Sequence, residues 1–408
     1  MSLASFLRSD QSLAATPFRL PAGDILRRRA AKAQRPRLLM VSSLITMPYR
    51  VLRVAGAAGA DIYVLGNSHS KCLEHSRFCK KFLLTSQPIT GEADACLADE
   101  INRRVREFDI DMVLPGDVQA TRSLIALRDA IDAPCFPMPT LEQFDRLNDK
   151  WFFTNLCGEL DILTPKSWHV ADAAELRREI EAGRIPLPAI AKPINHDGSL
   201  GVIKLDGADA LAQLDRIDYA PIIVQEFIEG ADIGASVYCE RGEIKAFIAH
   251  ELKRATYRAL DDARIEAALA RVMGRMGVNG VFNFDMRLAP DGTIYYLECN
   301  PRFFFKINLS MLAGVNFIRM GLRASTNTML APASGAAVRM PKALAAAAVL
   351  TPWKITSRDF QMLWYLCRDP VSSLREALGI DWEYAEDAHH RHFIAPATEK
   401  QPDRALAA

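Results

Sequence analysis

The sequence lacks several marks that would have settled its class at once. No Cys-x-x-Cys pair occurs among the eight cysteines, which stand at 72, 79, 96, 135, 157, 239, 299 and 367. That scatter argues against a zinc ribbon or a thioredoxin-like redox pair and fits free, buried thiols in a reducing compartment. No uninterrupted apolar run approaches the ~18 residues of a membrane span. No apolar segment of signal-peptide type marks the N-terminus, so a cytoplasmic location is expected. An excess of one charge is missing too: 50 basic residues face 49 acidic ones, for a net charge of +1. Nucleic acid or an anionic membrane is therefore not expected as an obligate partner. What is present is ordinary. Half of the 408 residues are hydrophobic and 24% are charged. This is the composition of a folded chain, with room for two to four domains of roughly 150 residues each. There is no internal repeat and no long low-complexity tract.

Charge is unevenly spread. Residues 1–37 hold eight Lys or Arg and two Asp, a local +6 that leaves −5 for the remainder. This stretch reads as a solvated tail. From residue 36 the pattern changes. Leu38 to Val41 is a short apolar strand, and a helix follows over about 49–59. Asp61 to Gly66 is a second strand, 93–108 an amphipathic helix, Asp111 to Gly116 a third strand, and 117–130 another helix. Strand and helix alternating at this spacing predict a parallel sheet with right-handed crossovers. The turn after the first strand reads Ser42-Ser43-Leu44-Ile45-Thr46-Met47-Pro48 and lacks Gly-x-Gly-x-x-Gly. A dinucleotide-binding role is discounted on that ground, although a substrate anion remains a candidate for this end of the sheet. The Pro-rich run 134–139 marks a boundary. Helices are expected over 140–147 and 150–160, short strands over 189–232, a helix over 261–276, and helices again beyond 309 and beyond 331.

Three segments carry chemistry. The first is Phe282-Asn283-Phe284-Asp285-Met286-Arg287, a Pro290-Asp291-Gly292 turn, then Ile294 to Arg302. Strand side chains alternate, so Glu298 and Asn300 share a face while Cys299 points away. The turn brings Asp285 within about a residue of Glu298. Three hard oxygen donors then converge, a set suited to Mg²⁺ beside phosphate. In the second, Ala189-Ile190-Ala191-Lys192-Pro193 ends an apolar strand and opens a Gly/Ser loop through Gly201, where backbone N–H groups and a lysine can meet phosphate. Taken alone, it reads equally well as a hairpin with a snorkelling lysine. The third, Ile222 to Asp232, is an apolar strand running into a Gly turn. It can offer backbone groups to a purine edge, and Asp232 to a ribose; alone it is only a strand end.

In this order and spacing the segments resemble the ATP-grasp superfamily over roughly 141–320. The resemblance implies an α/β Rossmann-like domain (36–139) after the tail (1–35), then an α+β ATP-grasp domain (140–330) and a C-terminal helical region (331–408). Lys150 is similar to the lysine that opens the grasp, and Lys192 to its second phosphate-binding lysine. Residues 197–201, with Ser199 and Gly201, resemble the mobile phosphate loop. Gln225, Glu226, Phe227 and Ile228 are similar to the adenine-holding segment, with Asp232 at the ribose. Asp285, Glu298 and Asn300 match the metal triad for Mg²⁺ or Mn²⁺. Arg302, in Glu-Cys-Asn-Pro-Arg, matches the arginine facing the acyl phosphate, and Gly314 to Phe317 resembles a turn of carboxylate–amine ligases. Phe303-Phe304-Phe305-Lys306 departs from the small residues of relatives and is expected to pack against the C-terminal helices.

The implied reaction joins a small-molecule carboxylate to an amine through an acyl phosphate, with ADP and phosphate released. Rival readings are phosphorylation of bicarbonate or of a non-amino-acid carboxylate, and a catalytically silent ATP-binding regulator. Lys253 and Arg254 are candidate substrate-anion contacts. His196 and His250 read as packed or solvated before they read as proton carriers, and His389 to His392 reads as a surface run. The tail and residues 331–408 are candidates for homo-oligomer assembly.

Overall fold

The computed structural model describes residues 35–195, 201–207, 209–322 and 329–378. The tail up to residue 34, Ser199 and His196 in the phosphate loop, and the run from His389 to His392 lie outside these residues.

Leu38 to Val41 are fully buried in β1 (Arg37–Ser42), because a strand inside a parallel sheet is covered on both faces. There follow α1 (Thr46–Ala57), β2 (Asp61–Gly66), β3 (Cys79–Leu84), α2 (Ala95–Phe108), β4 (Met112–Pro115) and α3 (Val118–Leu127). The strands lie in the order β3-β2-β1-β4, every pair parallel. Alternation divides their side chains between two cores. Leu38, Met40, Ile62 and Val64 pack with Val51 and Leu52 of α1. Leu39, Val41, Tyr63 and Leu65 pack with Leu97 and Ile101 of α2 and Leu124 of α3.

The turn after β1 shows why this domain needs no glycine fingerprint. Asp117, fully buried at the N-cap of α3, accepts hydrogen bonds from Ser43 N at 2.6 Å, Leu44 N at 3.0 Å and Ala120 N at 2.9 Å. Ser42 Oγ and Ser43 Oγ donate to the same carboxylate at 3.3 and 3.1 Å. Ser43 N and Leu44 N at this sheet end are thus engaged by the protein's own carboxylate, while the first turn of α1 has no side-chain cap. Asp117→Ala strips three buried backbone N–H groups of their acceptor. It is expected to destabilise the fold by about 3 kcal/mol or more, at ~1–3 kcal/mol for each buried donor left unpaired. A shift of the urea midpoint, with the slope unchanged, checks it.

Two antiparallel sheets follow. After α4 (Leu141–Asn148) and α5 (Lys150–Glu159) come β5 (Ser167–Val170), α6 (Ala173–Glu181), β6 (Ala189–Pro193), β7 (Ile203–Leu205), α7 (Ala210–Gln213) and β8 (Ile222–Glu226), with strand order β5-β8-β6-β7. The larger sheet is built from β9 (Ala231–Glu240), β10 (Glu243–Lys253), β11 (Thr256–Leu260), β12 (Gly280–Leu288), β13 (Ile294–Asn300) and β14 (Ala337–Arg339) in the order β13-β12-β9-β10-β11-β14. Helix α8 (Ala263–Met276) lies before β12, and α9 (Ile307–Leu312) and α10 (Phe317–Gly321) before β14. The sheet thus reaches past residue 330: Tyr257 of β11 pairs with Val338 of β14, in a stretch where sequence suggested helices alone.

Helices α11 (Pro341–Leu350), α12 (Ser357–Cys367) and α13 (Pro370–Ala377) complete the described chain. Helices α12 and α13 dock on the first domain through buried charge. Arg53 of α1 and Asp369 are both wholly enclosed and 3.8 Å apart, and Asp369 accepts from Ser76 Oγ at 2.6 Å and Arg77 N at 3.0 Å. Phe303 and Phe304 pack into the core shared by α1 and α12, as expected. Phe305 departs from that expectation: it stays 42% exposed beneath the Arg50 guanidinium, 3.4 Å from its ring centre. Among the described residues no helix is long and apolar enough to cross a membrane. All eight cysteines are free; Cys157, Cys239 and Cys299 are buried, whereas Cys96 and Cys367 are exposed.

Candidate active site

The expected metal face begins with a register. Asp285 of β12 stands directly opposite Glu298 of β13, and Asn283 opposite Asn300. Asn300 Nδ2 donates to Asp285 Oδ2 at 3.1 Å and to Glu298 Oε1 at 3.2 Å. Two carboxylates held this close in the interior repel. Burial, and then the charge of Glu298, pushes Asp285 up to about 7. Burial also pushes Glu298 up, but Lys150 and Lys192, with hydrogen bonds from Asn300 and Asp285, outweigh it and bring Glu298 down to about 2. The two carboxylates offer a divalent cation hard oxygens and unbalanced negative charge, while the Asn300 amide turns Nδ2 toward them and Oδ1 toward Arg302.

The lysines come from elsewhere in the chain. Asp149 caps α5, accepting from Phe152 N at 2.8 Å, which puts Lys150 on the first helical position. Lys150 is buried, with Nζ 3.5 Å from Glu298 Oε2 and 3.4 Å from the Ile194 carbonyl. Lys192, near the end of β6, is equally buried, with Nζ 4.0 Å from the same oxygen. Burial, ahead of the attraction of Glu298, lowers the Lys192 ammonium to about 8. The two sheets therefore present their charges to one another: lysines from α5 and the small sheet, carboxylates from the large one.

Between them lies a cavity of about 480 Å³. Nine of the expected residues line it: Lys150, Lys192, Gln225, Glu226, Phe227, Ile228, Asp232, Asp285 and Glu298. Asn300 and Arg302 are not part of that lining. Arg302 Nη2 donates to Asn300 Oδ1 at 2.9 Å, and Nη1 donates to the Phe303 carbonyl at 3.2 Å. Gly201 lies under Tyr219, whose hydroxyl donates to its carbonyl at 2.6 Å, and Val202 forms the wall beside it. Glu226 N donates to the Lys166 carbonyl at 2.8 Å, and the Ile228 carbonyl accepts from Arg287 Nε at 2.9 Å. Asp232 is exposed and ion-paired with Arg287, its cross-strand neighbour. Lys253 and Arg254, the candidate anion contacts, are exposed at the β10–β11 turn and do not line the cavity.

His250 and Lys306 also line the cavity and were not among the expected site residues. His250 of β10 lies across Gly234 of β9, where a Cβ would come within 2.8 Å of its ring. It stacks on Tyr257, and burial with the nearby Lys306 charge lowers it to about 3, so it is neutral. Lys306 itself, six residues past Asn300, faces the same space. Its position directly after an aromatic run was the only available signal.

Two sheets closing on a cleft, with two lysines against an Asp–Glu–Asn face, matched the family resemblance drawn from sequence. The family model described as "ATP-grasp in the biosynthetic pathway with Ter operon" matches residues 218–348, from just before β8 into α11. Over those residues the chain is similar to the ATP-grasp family, and its fold is the ATP-grasp fold. A D-alanine–D-alanine ligase of Anaeromyxobacter sp. (strain Fw109-5) is 30% identical over 163 residues, 35% of this chain. The matched part spans about half, 52%, of that curated relative. Among solved structures, the L-amino acid ligase of Bacillus licheniformis superposes with a TM-score of 0.54 at 16% identity, covering 72% of this chain and 75% of that one. The biotin carboxylase domain of the Hydrogenobacter thermophilus 2-oxoglutarate carboxylase gives 0.56 at 14% identity, covering 73% and 72%. N5-carboxyaminoimidazole synthetase of Staphylococcus aureus, in complex with ADP, gives 0.53 at 12%, covering 72% and 79%. At these identities the shared property is the ATP-grasp fold, with the parallel domain ahead of the two antiparallel sheets.

Proposed function

We propose that the chain is an ATP- and Mg²⁺-dependent ligase that activates a small-molecule carboxylate as an acyl phosphate and passes it to an amine, releasing ADP and phosphate. The observation that carries this reading is the convergence of Lys150, Lys192, Asp285 and Glu298 on one cavity. The triphosphate lies between the lysines and the carboxylate face, which Asp285, Glu298 and Asn300 furnish for the cation. Bound there, Mg²⁺ would neutralise charge on the transferring phosphoryl group. The protein's own part is positioning and exclusion of water, since an acyl phosphate hydrolyses readily. Purine contacts fall to the Glu226 carbonyl and the Ile228 N–H, because their partner groups are already engaged. Asp232 serves the ribose. Residues 36–139 are taken as the pre-grasp part and 140–330 as the grasp part, whose large sheet extends through β14 into the C-terminal part 331–408.

The nucleotide half of the proposal has a direct test. Lys192→Ala is expected to weaken ATP binding by about 1–3 kcal/mol, the range for losing a charge-assisted hydrogen bond. Calorimetry reads this directly, and a wild-type affinity in that variant removes Lys192 from the phosphate site. The reaction class is tested with hydroxylamine. ATP- and Mg²⁺-dependent hydroxamate formation with one of a panel of carboxylates, together with ADP, marks an acyl phosphate. AMP and pyrophosphate would mark an adenylate and overturn the proposal. Bicarbonate phosphorylation would give ADP without a stable hydroxamate, and a silent regulator would give neither.

A further inference from the structure

A second cavity, of about 490 Å³, lies away from the nucleotide cleft, between α1, α12 and the turn after α9. Its volume falls in the ~300–1,000 Å³ range of small-molecule sites. Arg53 is part of its lining and is wholly buried. Arg53 Nη2 donates to the Tyr365 carbonyl and, at 3.1 Å, to Ser373 Oγ, and the guanidinium lies 3.7 Å over the Tyr365 ring. Its Nη1 is buried with no hydrogen-bond partner. The neighbouring acid, Asp369, lies 3.8 Å from Nε as its ion-pair partner and accepts hydrogen bonds from Ser76 and Arg77. Interior guanidinium N–H groups are normally satisfied, and one left without an acceptor beside a cavity points to a ligand that supplies it.

The rest of the lining agrees. Arg358 and Arg368 join Arg53, and no carboxylate lines this cavity among the described residues. Phe78 and Trp364 supply flat apolar walls. An adjoining hollow of about 400 Å³ shares Phe78, Trp364 and Arg368 and adds Arg35, Arg77 and Lys80 against Asp61 alone. Asp61 is itself paired with Arg35 at 3.3 Å and Lys80 at 2.6 Å. Arg53 is ion-paired with Asp369 at 3.8 Å, but Arg358 and Arg368 stand on a lining without a carboxylate, so the charge facing this cavity is positive. Arginine beside aromatic faces suits planar anions in particular.

We propose that this cavity is a second ligand site, which takes a small anion, a carboxylate or a phosphate ester, with a flat apolar body. The charged end meets Arg358 and Arg368, with Arg53 buried in the wall beside them, and the body lies against Phe78 and Trp364. The site is independent of the nucleotide chemistry proposed above.

The test uses 1-anilinonaphthalene-8-sulfonate, an anion with a flat apolar body, titrated into the full-length protein and read by energy transfer from tryptophan. Gln361 lines the cavity and is exposed on α12, so its replacement leaves the core untouched. Gln361→Glu is expected to weaken dye binding by roughly tenfold and Gln361→Lys to hold or tighten it, as a single charge at short range requires. Displacement by phenyl phosphate identifies a phosphate ester as the preferred ligand class, and displacement by benzoate a carboxylate. Equal affinity in both Gln361 variants, or failure of both competitors to displace the dye, overturns the proposal. An affinity that instead follows Lys192→Ala places the dye in the nucleotide cleft and also overturns it.

Discussion

Replacing Glu298 by glutamine is expected to stop ATP turnover, with kcat falling on the order of 10³-fold or more, while the protein stays folded. Glu298 is the carboxylate that faces both buried lysines of the cleft. Lys150 Nζ and Lys192 Nζ lie 3.5 and 4.0 Å from its Oε2, and Asn300 donates to its Oε1 at 3.2 Å. Glutamine keeps the shape and an acceptor for Asn300 but removes the charge. The cation face then holds one carboxylate where the proposed chemistry needs two beside a triphosphate. The fold is expected to survive because Lys192, already lowered to about 8 by burial, can release its proton when its counter-ion is lost. ADP release, circular dichroism and the Mg²⁺ dependence of nucleotide binding together read the outcome. Turnover at the wild-type rate in a folded variant would remove Glu298 from the metal site.

The hairpin that carries Glu298 was legible because two local rules fix it. Pro290-Asp291-Gly292 sets the turn, and period-two alternation sets which side chains meet, so the Asp285–Glu298 pairing follows within a residue. The parallel domain was legible for a similar reason: its strands are short apolar runs between amphipathic helices. Strand β3 was missed because it lies at the sheet edge and carries Lys80 and Lys81 exposed, which hides its periodicity. Strand β14 is three residues long and exists through its pairing with β11, a contact across some eighty residues. The docking of α12 on α1 was illegible for the same reason. Nothing local joins Arg53 to Asp369, and each reads in isolation as a solvated charge. His250 illustrates a subtler limit. Sequence offered packing or proton transfer as alternatives, and the residue is packed and neutral while still facing the cavity, over a glycine whose missing Cβ makes the room.

Arg302 is where the expected chemistry is most exposed to failure. Arg302→Lys is expected to lower kcat by about 10²-fold, the scale for losing a preorganised donor at developing charge. ATP and Mg²⁺ affinities should stay within a few-fold of wild type. The argument for an arginine at this position is its planar fork. Nη2 already donates to Asn300 Oδ1 at 2.9 Å and Nη1 to the Phe303 backbone carbonyl at 3.2 Å, so the group is fixed at both ends. A lysine can make one such contact but not two in fixed relation. The structure also raises the competing account, since Arg302 is not part of the cavity lining and donates to Asn300 Oδ1. On that account it is a positioning residue that orients one cation donor. The two accounts differ in a measurable way. A residue that steadies Asn300 should shift the Mg²⁺ requirement together with kcat. A residue that meets the acyl oxygen should depress hydroxamate formation with the Mg²⁺ requirement unchanged. A parallel loss of Mg²⁺ affinity in Arg302→Lys would therefore withdraw Arg302 from the reacting atoms and leave it as the support of Asn300.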